Sequence, residues 1–264
     1  MVKIASFHSI MDILSSIKRY RFVKVILQAI RHSWVYFAWH ERTLFVRRHF
    51  PRLATLGSTG ENTFIEYPVY FDSPENVYID HNVKIRSNAR FINSPHEKIY
   101  IRQYSVVGSG CTIIPGNHRK TVGVPQFLLG TSHINDDSCH LTVGEDVWIG
   151  ANVTILSKAD IGRGCIVAAC SVVTHPTPPY SVVAGQPARI IGKVFEKDDI
   201  LRHELALYPP DQRLSPTQID DIFNAYHYDS LKTYGTSVPL TMEQNEIIAR
   251  LKRDWKYIEP THNS

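Results

Sequence analysis

One periodicity constrains this chain more than any other feature. From Val143 onward every sixth residue is Val or Ile: Val143, Ile149, Ile155, Ile161, Val167 and Val173. Four places after each of the first five stands a small or medium residue: Val147, Val153, Ala159, Cys165 and Ser171. The register also runs upstream through Ile79, Ile85 and Phe91, with Val83 and Ala89 in the second column. After an irregular stretch it resumes at Ile101, Val107 and Ile113, with Ser105 and Cys111. A period of six is neither the 3.6 of a helix nor the plain alternation of a strand. It describes short strands joined by sharp corners, each side turning one aliphatic and one small residue inward. That is an all-β solenoid. Asp146, Asn152 and Gly164 fall at corners, where left-handed backbone must be tolerated. A sandwich would space its turns irregularly, at about 8–12 residues. Ile65 and Phe71 are read as an irregular first turn.

Three segments flank or interrupt the repeat. Residues 1–60 form a helical N-terminal segment, with Ile10, Leu14 and Ile17 at helical spacing and basic residues interleaved. Its two readings are a cap on the open end of the solenoid and an amphipathic contact with a membrane surface. Residues 61–196 form the solenoid. Within it, 119–140 carry Gly123, Pro125 and Gly130 and leave the coil as an extruded loop. Residues 197–264 form a helical C-terminal extension. There Ser215-Pro216 makes an N-cap before the stripe Ile219, Ile222, Phe223, Tyr226, and Thr241 with Gln244 makes a capping box.

Composition narrows the function. A net charge of +4 over 264 residues is too small to point to nucleic acid but suits a ligand carrying phosphates. The 4 cysteines include no CxxC pair, which argues against a zinc knuckle or a disulfide framework and for a reducing, cytoplasmic compartment. No run of about 18 apolar residues offers a membrane span, and no signal peptide is evident.

The segment Val143-Gly-Glu-Asp-Val-Trp-Ile-Gly-Ala-Asn-Val-Thr-Ile-Leu, continued by Ile161-Gly-Arg-Gly-Cys-Ile-Val-Ala-Ala-Cys-Ser-Val-Val-Thr and Ala184-Gly-Gln-Pro-Ala-Arg-Ile-Ile-Gly, resembles the hexapeptide-repeat acyltransferases. The resemblance implies a left-handed parallel β-helix with flanking α-helical segments. It also implies a homotrimer and acetyl-CoA as co-substrate, with no metal required. The stretch Thr112-Ile-Ile-Pro-Gly-Asn-His-Arg-Lys resembles the catalytic-histidine segment of the branch that acetylates chloramphenicol and streptogramins, and the sugar branch places its histidine at a similar loop. His118 is therefore expected to be the general base. A hydroxyl is too weak an acid to ionise first at neutral pH, so a base must take its proton as the oxygen attacks a thioester.

The other site residues follow from the same resemblance. Ala151, Ala169, Thr174, His175 and Arg189 match positions along the acetyl-CoA groove, with Lys193 as a substitute cation where His175 replaces a lysine. Gly150 and Ala151 are candidates for backbone donors to the tetrahedral oxyanion. His133, Asp136 and Asp137 in the loop, and Asn93 at an earlier coil exit, are candidates to meet the acceptor. His140 is a candidate to assist the base. Trp148 is expected to pack across the trimer near the active site.

The leading expectation is an O-acetyltransferase acting on a sugar or glycan precursor, as in polysaccharide biosynthesis, located in the cytoplasm or at the inner face of the membrane. The alternatives are an antibiotic O-acetyltransferase and a non-catalytic scaffold. A metal-dependent hydratase needs three converging histidines, and the sequence offers only an incomplete set in His118 and His81.

Overall fold

The computed structural model describes residues 55–132, 134–137 and 139–260, together with Gln28, Ala29, Ser33 and residues 37–42. The chain divides into two units, 1–47 and 48–264. In the first, Gln28, Ala29 and residues 37–42 are helical. Ser58–Thr59, expected in the helical N-terminal segment, form the first strand of the repeat instead, so the repeat starts before residue 61. The segment's other residues before 55, with its capping and membrane readings, lie outside the described residues.

The second unit opens with coils of three short strands. The first coil is β1 (Ser58–Thr59), β2 (Phe64–Ile65) and β3 (Tyr70–Phe71). The next are β4 (Val77–Ile79), β5 (Lys84–Ile85), β6 (Arg90–Phe91), then β7 (Ile99–Ile101), β8 (Val106–Val107), β9 (Thr112–Ile113). After the loop come β10 (Leu141–Val143), β11 (Trp148–Ile149), β12 (Thr154–Ile155), and a shorter coil of β13 (Ile166–Val167) and β14 (Val172–Val173). The chain ends its winding in β15 (Ser181–Gly185), which pairs antiparallel with β16 (Ala188–Lys193). Corresponding strands stack in parallel into three sheets: β1-β4-β7-β10, β16-β15-β13-β11-β8-β5-β2, and β14-β12-β9-β6-β3. The chain thus visits the first, second and third sheets in turn, which is a parallel solenoid.

The sixfold columns are the core. Every leading aliphatic from Ile79 to Val173 is at most 2% exposed, and every residue of the second column is at most 1% exposed. The inward Ser105 is satisfied: its hydroxyl donates to Gly144 O and accepts from Val147 N–H. Contrary to the expected irregular first turn, Ile65 and Phe71 pair in register with Ile85 and Phe91.

Corner chemistry is stacked too. At the edge from first to second sheet, Asn62, Asn82, Tyr104, Asp146, Gly164 and Tyr180 all have positive φ. At the next edge Asn88, Gly110, Asn152 and Cys170 do the same. Gly164 has no alternative: at φ +66 an added Cβ would lie 2.5 Å from the Tyr180 ring.

Spacing is a constant six across the first two edges and varies only at the third. From third sheet to first, the steps run Phe71 to Ile79, Phe91 to Ile101, Ile113 to Val143, Ile155 to Ile161 and Val173 to Thr177. Every insertion therefore emerges along one edge, and the longest is the loop.

Beyond the solenoid lie α2 (Lys197–Leu207), α3 (Pro216–Tyr226) and α4 (Met242–Asp254), while the loop carries α1 (Gln126–Ser132). Both capping motifs form at α3 and α4. Ile219 and Phe223 of α3 pack with Tyr180, Val182 and Val194. A polar clamp locks α2 to the first edge. Arg163 donates to Glu145 and Glu204, and the Tyr180 hydroxyl donates to Glu204 at 2.5 Å. The tail reaches the same edge, where Asn82 exchanges two hydrogen bonds with the Ile258 backbone.

Candidate active site

The loop leaves the third edge through a narrow neck. Asp137 N–H donates to Asn117 O at 2.9 Å, and His118 and Asp136 form an antiparallel bridge. The Cys139 thiol donates to Pro115 O at 2.7 Å and lies 3.4 Å from Ser157 Oγ. Where the chain departs, Gly116 lets the Glu97 carboxylate lie against the backbone: a Cβ there would meet it at 1.8 Å and the carboxylate would have to move.

At this neck His118 Nδ1 lies 2.8 Å from Asp136 Oδ1. The Asp136 side chain is 8% exposed and that of His118 is 42% exposed, so the carboxylate is shielded while the ring faces outward. An ionised carboxylate only accepts, so Nδ1–H donates and the imidazole lone pair sits on Nε2. A histidine held this way is oriented, and the imidazolium it forms on taking a proton is stabilised. Asp136, expected to meet the acceptor, thus faces the histidine. Nothing in the sequence links the two positions; only closure of the neck brings them together.

Asp137 is turned to the other side of this ribbon. Its carboxylate accepts from Lys158 Nζ at 2.6 Å, and Arg119 stands 3.6 Å away. These cations, Lys158 first, hold its carboxyl below the usual range. His133 lies outside the described residues. His140 does not reach the dyad's contacts: its Nδ1 accepts from Lys98 N–H, and its ring stands edge-on to Tyr100.

Asn93 is 4% exposed. Its amide bonds the Ser73 backbone and Glu97 O, so it pins the third edge instead of presenting itself to a ligand. Trp148 projects from the second sheet with 59% exposure.

The donor-groove positions fall in two places. Ala151 and Ala169 are exposed at the edge between second and third sheets, where Cys170 N–H bonds Ala151 O. Thr174 and His175 sit beyond β14 at the third edge, joined by a 2.8 Å hydrogen bond. His175 and Arg189 line a groove of about 370 Å³ with apolar walls from Val173, Val183 and Ile190. Two expectations need correcting. Lys193 is 3% exposed, with its ammonium engaged by Tyr228 O and Glu196, so the structure does not bring it to the groove. Gly150 N–H donates to Val167 O within the sheet, which removes it as an oxyanion donor. Among the described residues, no three His, Cys, Asp or Glu side chains are grouped to hold a metal.

Residues 140–175 match the family model described as bacterial transferase hexapeptide (six repeats). The chain is 32% identical to a "putative acetyltransferase" of Saccharomyces cerevisiae, over 54% of this chain and 69% of the relative. It is 30% identical to the galactoside O-acetyltransferase of Escherichia coli, over 53% of this chain and 66% of that enzyme. It is 48% identical to a "probable macrolide acetyltransferase" of Lysinibacillus sphaericus, over 41% of this chain and 70% of the relative. The chain belongs to the hexapeptide-repeat acetyltransferases.

Proposed function

We propose that the protein is an acetyl-CoA-dependent O-acetyltransferase acting on a sugar or glycan precursor, with His118 as general base. The observation that carries this reading is the His118–Asp136 pair at the neck of the loop, on a chain of this family. Transfer is direct. The acceptor oxygen attacks the thioester carbonyl carbon while its proton passes to His118 Nε2. The tetrahedral intermediate then collapses, the carbon–sulfur bond breaks, and the proton is returned to the departing thiolate. Asp136 keeps the lone pair on Nε2 and stabilises the transient imidazolium.

The coils wind left-handed, and three chains associate. In one chain, His118 lies on the third edge, whereas Ala151 and Ala169 lie on the edge across the third sheet. A donor held against those alanines reaches a base from a neighbouring copy. Thr174, His175 and Arg189 hold the nucleotide end, with Arg189 as phosphate partner, and Trp148 packs between copies. The solenoid that begins at Ser58 is the catalytic unit, working in the cytoplasm.

A second reading is favoured by one observation. The 48% identity to the macrolide acetyltransferase makes an antibiotic the alternative acceptor. Purified protein with acetyl-CoA and a panel of sugars, nucleotide sugars and antibiotics decides between them, read as free thiol release. Release with sugars supports the proposal. Release with antibiotics alone replaces it with the second reading, and silence with both overturns both.

A further inference from the structure

The neck of the loop is tied to the next coil at two adjacent residues: Ser157, whose hydroxyl lies 3.4 Å from the Cys139 sulfur, and Lys158, which reaches further along the ribbon. Lys158 has a left-handed backbone, at φ +64. That conformation is costly for a side chain bearing a Cβ, and such strain persists where surrounding contacts hold it. Here the contacts all go to the loop. Lys158 N–H bonds the Cys139 sulfur at 3.3 Å, and Lys158 Nζ bonds Asp137 at 2.6 Å. Asp137 in turn bonds Asn117 O through its own N–H. Asn117 and Asp137 flank the His118–Asp136 bridge on both of its strands. One lysine therefore grips the ribbon immediately behind the dyad, on the face opposite the imidazole.

We propose that Lys158, acting through Asp137, is a positioning residue that fixes the ribbon carrying His118 against the solenoid. The inference rests on the reading of His118 as the base. Arg119 also approaches Asp137, but from within the loop, so it cannot tie the loop to the coil. Lys158 is the side chain that carries the link from the coil to Asp137. The pair is exposed and water competes for both partners, so it adds little stability and its value lies in geometry. A base displaced by about 1 Å loses on the order of 10²-fold in rate, so a tether at this point is felt in turnover first.

The test uses Lys158→Gly, Lys158→Arg, Asp137→Asn and the double variant Lys158→Gly/Asp137→Asn in the full chain, with His118→Ala alongside. Glycine suits the positive φ, so Lys158→Gly should melt no lower than the parent. It should nevertheless lose roughly tenfold or more in kcat, with KM for acetyl-CoA unchanged. Lys158→Arg should restore most of kcat. Asp137→Asn should match Lys158→Gly, and the double variant should be no worse than either single one. Hydrogen exchange of the segment around 116–137 should quicken in Lys158→Gly. The proposal is overturned if Lys158→Gly keeps its kcat and its exchange rates, if its melting temperature falls in step with kcat, or if the two substitutions add. An active His118→Ala overturns the base assignment instead, while the exchange measurement still judges the tether.

Discussion

Asp136→Asn isolates the orienting carboxylate. The amide keeps the size of the side chain but adds a donor, which favours the imidazole tautomer with its lone pair on Nδ1, the wrong nitrogen for the acceptor. The interaction lost with the ring is a charge-assisted hydrogen bond of 2.8 Å. Such bonds contribute about 1.5–3 kcal/mol. The His118 side chain is 42% exposed, so solvent screens the pair and the lower part of the range, about 1.5–2 kcal/mol, applies. At about 1.4 kcal/mol per decade, kcat should fall roughly 10- to 30-fold. The assay is thiol release at saturating acetyl-CoA and acceptor, with acetyl-CoA affinity measured separately by calorimetry. Affinity should hold, because Asp136 has no part in the groove. In a His118→Ala background the same substitution should change the residual rate by less than about twofold, since the carboxylate serves catalysis through the ring. An Asp136→Asn enzyme with parental kcat, or one whose loss persists without His118, refutes the coupling.

Three further outcomes follow from the fold. Tyr180→Phe removes the donor to Glu204, whose side chain is 1% exposed. It should cost about 1–3 kcal/mol and lower the melting temperature by several degrees without touching catalysis, as calorimetry would show. Gly164→Ala should destabilise more than a typical surface change, because positive φ and the Tyr180 ring both oppose a Cβ; an unchanged denaturant midpoint would contradict the corner geometry. Asp137 and Glu196 both have depressed carboxyl values, the first chiefly through Lys158 and the second through Thr233 and Lys193. Their stabilisation is present above the ordinary carboxylate range and is lost as pH falls through the depressed folded-state values, so both contacts should survive at about pH 5. Carboxyl NMR titration checks this, and midpoints above the ordinary range would reverse the sign.

The solenoid was legible because its period is enforced by sterics at every coil. The same two columns that stand out in the sequence are the two that are buried, and Asp146, Asn152 and Gly164 do turn left-handed corners. The first coil is harder to read because Thr59, not an aliphatic, leads it, and the step from Phe71 to Ile79 is lengthened by two residues at the third edge. Helix α2 carries a weaker signal. Glu196 makes no side-chain cap, and only Asp198 and Asp199 in the first turn mark its start. The site was less legible than the fold. His118 stands out through its motif, but its contact with Asp136 spans 18 positions and depends on the loop's path. Asn93 and Lys193 have the chemistry of ligand contacts; burial and hydrogen bonding assign them to the framework, and neither shows in a residue type.

The central claim is that His118 is the base for acetyl transfer. The most direct measurement is kcat for thiol release by His118→Ala beside the parent, with acetyl-CoA binding measured on both. Binding should be unchanged and kcat should fall about 10²–10⁴-fold. A variant that binds acetyl-CoA and turns over at the parental rate would contradict it.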